Sequence, residues 1–386
     1  MTQDKTNKVL NVPPLRFPEF TGEWEKQNFA DNLLRLENGV NYDTNETEGL
    51  PLSRIETIST SSINYEKVGH CNTKNIDHYK MEYGDILFSH INSMSHIGKT
   101  AYYYAERPLY HGMNLLLIRC NSRLNSLFFY HLLNTPHFLR TCQVYAKQAV
   151  NQASISTSDI KKIQIHVPTI QEQNKIASFI SLLGQRIETQ IRVIEDLQTL
   201  KKAISTKVFT EIKGCNSEKL GTLCSITTGK LDANAMTDEG EYMFFTCSRE
   251  NYKTDTFAFD GEALLIAGNG EIGSVKYYNG KFNAYQRTYI LQNFSENIKY
   301  LQYYIEHHLP QRVLKEKNVG AMPYIVLSTL ADMPILLPSE NKQNNIAKAL
   351  QVIENKIYVE YSVLDQYKQQ KQYLLQKILH IFYQLF

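Results

Sequence analysis

The sequence predicts an α+β chain written twice: two α/β globules separated by two long helices, which pair antiparallel as a coiled coil, with a pseudo-twofold internal repeat. Three observations carry this. Residues 155–168 (ISTSDIKKIQIHVP) return as residues 325–338 (IVLSTLADMPILLP) at a constant shift of 170. Each copy runs into about 40 residues of helical pattern, interrupted only by Gly184. Upstream of each lies a second shared frame, residues 84–104 and 261–278: Gly, acid, a short apolar strand, a polar loop, Ile-Gly, then an aromatic strand. At 386 residues the chain has room for about two to three domains. With 42% hydrophobic and 21% charged residues it can fill packed cores, which excludes a disordered chain.

Residues 1–23 form an N-terminal segment. The start MTQDKTNKVL lacks the apolar core of a secretory signal, and no stretch approaches the roughly 18 apolar residues of a membrane span. A cytoplasmic protein is expected. Residues 24–168 alternate short strands with turn residues and contain a helical stretch at 126–140. The first long helix is expected over 169–213, with an apolar stripe Ile176, Ile180, Leu183, Ile187, Ile191, Ile194 and Leu197. Residues 214–338 repeat the globule, with a helical stretch at 296–317, and 339–386 repeat the helix. The second stripe reads Ile346, Leu350, Ile353, Ile357, Tyr361, Leu364 and Tyr367, with the same spacings. Lys201 and Lys371 fill one seam position in each copy.

A helix of about 60 Å (1.5 Å per residue) cannot bury its stripe on a small domain, so each helix is the other's natural partner. Ile180, Leu183, Ile187 and Ile194 are the expected pairing residues of the first helix, and Leu350, Ile353, Ile357 and Leu364 those of the second. In the globules Gly84 answers Gly261, Asp85 answers Glu262, and Ile97-Gly98 answers Ile272-Gly273. The framework matches while the polar loops differ, as expected of one scaffold that presents two binding surfaces.

No motif for chemistry survives inspection. Gly268–Gly273 fits G-x-G-x-x-G, but strand-like SVKYY follows where a dinucleotide site needs a helix. Glu340-Asn341-Lys342 and Glu354-Asn355-Lys356 fit a short nuclease pattern without the upstream carboxylate that a cation needs, and read as solvated helix charges. There is no phosphate-binding G-x-x-x-x-G-K-[ST] loop and no methyl-donor motif. The six cysteines form no C-x-x-C pair and read as reduced, mostly buried thiols. Eight of eleven histidines fall between His70 and His166; His90 and His96 flank the first polar loop, and no metal site is expected.

Charge tempers any nucleic-acid reading. The formal net charge is +2; residues 24–167 carry 14 basic and 13 acidic groups, and residues 218–337 carry 11 basic against 14 acidic, a net of −3. Phosphate attraction alone therefore gives weak DNA binding. Direct readout instead uses individual donors and acceptors at groove edges. The candidates are Ser89, Asn92, Ser93, His96 and Lys99 in one loop and Asn269, Glu271, Ser274 and Lys276 in the other. Asn151, Gln152, Gln286 and Arg287 join them near the ends of the globules.

On these residues the chain resembles the specificity (S) subunits of type I restriction–modification systems. The opening Leu15-Arg16-Phe17-Pro18 with Phe20 and Trp24 is similar to the start of many of them. The G-D-I-L…I-G-K and G-E-A-L…I-G-S frames resemble the centres of target recognition domains. Asp159-Ile160 through Gln171-Glu172-Gln173, and its repeat at Ser339–Gln343, resemble the lead-in to the family's spacer helices. The resemblance implies a non-enzymatic reader of double-stranded DNA. Each recognition domain would read half of a split target, and the helices would fix the gap and dock two methyltransferase (M) subunits. Restriction (R) subunits can join. The S-adenosylmethionine, ATP and Mg²⁺ would then be used by partner subunits, with none bound by this chain and no membrane involved. Two features depart from a perfect duplicate: Leu15–Phe20 has no counterpart before the second globule, and Gly320–Tyr324 replace the polar Ala149–Ser154. The competing readings are a protein-interaction scaffold that binds peptides or glycans, and a self-sufficient nuclease or methyltransferase.

Overall fold

The computed structural model describes residues 11–42, 47–58, 62–149, 152–316 and 324–379. The chain divides into two compact units, residues 1–189 with 364–386, and residues 190–363. Each unit thus holds one globule together with parts of both long helices.

The first unit contains β1 (Glu25–Asn28), β2 (Leu33–Asn38), β3 (Ile86–Phe88), β4 (Thr100–Tyr102) and β5 (Leu116–Cys120). After these come α1 (Ser126–Leu133), α2 (Pro136–Tyr145), β6 (Gln164–Val167) and the start of α3 (Ile170–Glu211). The central sheet is antiparallel in the order β2-β5-β3-β4. The run Ile86-Leu87-Phe88 is apolar throughout because both faces of β3 are covered. Ile86 and Phe88 join a core with Phe29, Phe128 and Phe129, while Leu87 points into a second core with Ile58, Leu115 and Leu117. The stretch 126–140, expected as one helix, is broken. Thr135 caps a new helix by accepting from Phe138 N, and Pro136 starts it, where its missing N–H costs nothing.

The second unit repeats this plan. It contains β7 (Asn216–Lys219), β8 (Ser225–Thr228), β9 (Tyr242–Phe245), β10 (Glu262–Ala267), β11 (Val275–Asn279), β12 (Phe282–Ala284) and β13 (Thr288–Gln292). Then follow α4 (Ile298–Glu316), β14 (Pro334–Leu337) and α5 (Glu340–Leu379). Its central sheet is antiparallel in the order β8-β13-β10-β11, matching the first strand for strand. The ribbon β7·β14 answers β1·β6: Asn216 lies opposite Leu337 as Glu25 lies opposite Val167. Even the polar lead-ins repeat. Gln173 donates to Pro168 O and Gln343 to Pro338 O, while Asn125 and Asn297, which cap α1 and α4, donate to Asn174 and Asn344.

One pairing of the repeat needs correction. Gly84 and Gly261 both turn with positive φ, 94° and 92°. Across the loops, however, Gly98 N donates to Ser89 O and Gly273 N to Ala267 O. Counting back from there sets Asp85 against Ala263 rather than Glu262, because one more residue lies between Gly261 and Ala267 than between Gly84 and Ser89. The two acids differ accordingly. Asp85 is buried and bidentate to Arg119, both contacts 2.7 Å, whereas Glu262 is exposed and accepts from Tyr277.

The long helices run antiparallel within each unit. In the first, Ile176, Ala177 and Ile180 near the start of α3 share a core with Ile378 and Leu379 at the end of α5. In the second, Ile346, Ala347 and Leu350 at the start of α5 share a core with Phe209 and Ile212 around the end of α3. Ile180 and Leu350, expected in the helix seam, share these clusters with the other long helix and with globule residues alike. Ile194 and Leu364 are buried, and Leu183, Ile187, Ile353 and Ile357 are half-buried, since one partner helix covers only part of a stripe. The stripe residues Ile191 and Tyr361 are exposed. Gln190 is half-buried nearby and donates to the carbonyl of Glu360, its own counterpart at the shift of 170.

Two further expectations change. Glu354 is not a solvated helix charge: it is half-buried and accepts from Lys201 at 2.8 Å and Tyr303 at 2.8 Å. The described part of the N-terminal segment, residues 11–23, is bound into the first unit. Arg16 forks onto the buried Glu172 at 2.7 and 2.6 Å, and Trp24 Nε1 donates to the same carboxylate at 3.2 Å. The second copy has Lys342 at that position and no such segment to hold.

Candidate nucleic-acid interface

In the second unit, four loops converge beyond the ends of the sheet strands. Cys247 O accepts from Glu271 N at 3.0 Å, and Gly268 N donates to Arg287 O at 3.0 Å. Cys247 Sγ also reaches Arg287 O at 3.2 Å, and Ile325 N donates to Gly268 O at 2.9 Å. Backbone hydrogen bonds thus knit residues 247–251, 268–274, 286–287 and 324–326 into one surface. They border an open cleft of about 350 Å³ lined by Thr228, Gly268, Gln286, Arg287 and Tyr324 among others.

The expected contact residues separate on this surface. Glu271, Gln286 and Arg287 are exposed, and Asn269 and Ser274 half-exposed. Gln286 is oriented by Asp232 at 2.8 Å. Lys276 is a correction. Its ammonium donates to the carbonyls of Ser248 and Arg249 at 3.0 Å each, to Glu250 O at 3.4 Å and to Asn251 Oδ1 at 2.9 Å. Burial pushes its pKa down. It staples the loop rather than facing a ligand. The loop it holds presents Arg249, which the sequence reading missed: the side chain is 83% exposed and its Nε donates to Glu271 Oε2 at 2.9 Å. A polar run between two strands gave no signal for it.

In the first unit, Ser89 is also a correction. Ser89 is buried, and its backbone closes the loop through Lys99 O and Gly98 N. His90 is buried as well; its carbonyl accepts from Ile155 N, and burial pushes its pKa down to about 4. The outward side chains belong to the loop tip. Ser93 Oγ lies 2.8 Å from His96 Nδ1, and Asn92 Oδ1 accepts from Ser93 N at 2.8 Å. Lys99 is half-exposed beside them.

A small antiparallel ribbon extends this surface. Residues 91–92 pair with 153–154, which pair with 147–148. Gln152 is exposed there and Asn151 lies outside the described residues, as do Val150 and Gly320–Pro323. Exposed Lys147 and Gln148 join the surface.

Both units therefore present polar side chains from equivalent loops on equivalent sheets. The family model for the type I restriction modification DNA specificity domain matches twice, over residues 35–196 and 213–366. The chain belongs to this specificity family. It is 29% identical to a Methanocaldococcus jannaschii protein that carries the name type I restriction enzyme MjaX specificity subunit, over 96% of both chains. A segment of 135 residues, 35% of this chain and 30% of the other, is 38% identical to the Escherichia coli type I restriction enzyme EcoDI specificity subunit. The crystal structure of a type I restriction–modification S subunit from M. genitalium shares the fold. Its TM-score is 0.61 at 16% identity, covering 96% of this chain and 100% of that one.

Each specificity match begins in a globule and ends inside a long helix, so one repeat unit of the family spans both. The clasp of Arg16 and Trp24 on Glu172 draws two of its three residues from before the first match. Among the described residues no group of three or more His, Cys, Asp and Glu could hold a metal. None of their helices is long and apolar enough to cross a membrane.

Proposed function

We propose that this chain is the DNA-reading subunit of a type I restriction–modification complex, each globule reading one half of a bipartite duplex target. One observation carries the reading most directly: the same four-stranded sheet occurs twice, and the loops that leave equivalent strand ends carry different polar side chains. A framework kept and a loop set changed is what two different half-sites require. The paired helices set the number of base pairs between the halves and dock two methyltransferase subunits, an assembly that restriction subunits can join. S-adenosylmethionine, ATP and Mg²⁺ act in those partners, and this chain supplies no catalytic residue.

Methylation mapping of cells with and without the chain tests the reading. One bipartite motif should lose its methylation when the chain is absent. Retention of every methylated motif would overturn the proposal. Methyl incorporation by the purified chain alone would instead favour a self-sufficient enzyme.

A further inference from the structure

The second globule carries more acid than base, so bulk attraction draws little phosphate to it and its exposed cations count one by one. Arg249 is one whose placement the loop bonds fix, and 83% of its side chain is open. The backbone beneath it is held at three carbonyls by the Lys276 ammonium, so the guanidinium projects from a fixed base. Its ion-pair partner Glu271 is fixed as well. Glu271 N donates to Cys247 O, beside Gly270 at φ +59°, where an added Cβ would come within 2.8 Å of that same carbonyl. Two opposite charges thus stand side by side on a rigid platform, with Gln286 and Arg287 on the same surface.

We propose that Arg249 and Glu271 together read one G·C base pair in the half-site of the second globule. This rests on the DNA-reading function proposed above. In the major groove guanine offers two acceptors, N7 and O6, and its cytosine partner offers the N4 amino donor beside them. Arg249 donates to the guanine acceptors and Glu271 accepts from cytosine. The pair suits a base edge and not a phosphate, because Glu271 repels the backbone that a lone arginine would seek. An exposed ion pair is worth little in water, so trading it for base contacts costs little. An A·T pair keeps the N7 acceptor but puts an amino donor in place of O6, and the thymine O4 acceptor where Glu271 needs a donor; the reversed pair puts a methyl group in place of N7.

The test uses the full chain co-expressed with its methyltransferase partner in cells that lack the native copy, reading the methylated motif for wild type, R249A, R249K and E271Q. R249A and R249K should both relax one G·C position in one half of the motif, with discrimination lost about tenfold to a hundredfold. E271Q should relax the same position, and the other half should stay unchanged. Because Arg249 is exposed, each variant should unfold at the wild-type temperature. An unchanged motif in R249A, or relaxation at an A·T position, would overturn the assignment. If R249A abolishes methylation, binding of the purified complex to duplexes that differ at single base pairs decides. Equal weakening on every duplex would make Arg249 a phosphate contact and overturn the assignment. A wild-type chain that directs no bipartite motif would sink the DNA-reading function itself, whereas a wild-type motif left intact by R249A sinks only this base pair.

Discussion

Asp85 and Glu262 look alike in the sequence and do different work. Asp85 is buried against a bidentate Arg119, so removing its carboxylate leaves a largely buried guanidinium with only the exposed Glu82, at 2.7 Å, as its ion partner. Asp85→Ala should cost about 2–4 kcal/mol of stability in urea unfolding. Glu262→Ala, at an exposed position, should cost less than about 0.5 kcal/mol. Equal losses would mean that burial does not separate the two. The histidines make a pH prediction. Burial pushes the pKa of His90 and His111 from 6.5 down to about 4. The unfolded chain takes up these protons near pH 6.5, the folded chain only near pH 4. The stability that comes from keeping the rings neutral is therefore complete above about pH 6.5 and is lost as the pH falls toward 4. The unfolding temperature should drop between pH 7 and pH 5, and replacing His111 with Gln should flatten that slope. A slope unchanged by the substitution would exclude His111 as its source. Neither behaviour was legible in the residue types alone, because both depend on which distant side chains cover the group.

At the scale of elements, the two seam lysines separate what repetition fixes from what packing adds. Lys201 and Lys371 occupy one position of the repeated stripe, and that much is plain in the sequence. In the second unit, burial alone would push Lys201 down, but Glu306 and Glu354 outweigh it and hold its pKa raised. Burial lowers the pKa of Lys371, which lies over Gly184, the counterpart of Glu354; Glu188 opposes the shift only in part. Lys201→Met should therefore destabilise by about 2–3 kcal/mol, since two carboxylates are left facing each other. Lys371→Met should be neutral or slightly stabilising. Denaturant midpoints of the two variants that move together would contradict this. The partner Glu306 comes from α4, about a hundred residues from Lys201, which is why no helix pattern announced it. The stripe itself was legible as a 3/4 alternation. Which of its residues the globules also cover was not, because Ile180 and Leu350 look the same as Ile194 and Leu364 until the globules fold against them.

At the scale of the whole molecule, the repeat makes its own predictions. Four residues are close to one helical turn and add about 6 Å. Inserting them into both α3 and α5 should keep each helix face in register and lengthen the gap between half-sites by about two base pairs, at 3.4 Å per step. A methylated motif with an unchanged gap would remove the helices from that role. Exchanging loop residues 90–99 should change one half of the motif and spare the other; joint changes would argue against independent heads.

The doubling itself was set by the sequence alone. The shift of 170, the strand-to-helix lead-ins and the matched stripes are local patterns that recur whatever the chain folds against, and they also carry the family. What only the tertiary structure decided is which polar side chains face outward. Ser89 and His90 turned inward, the Lys276 ammonium was spent on three carbonyls, and Arg249 emerged on the loop it holds. Exposure and hydrogen-bond partners are set by segments that lie far apart along the chain and meet only when it is folded.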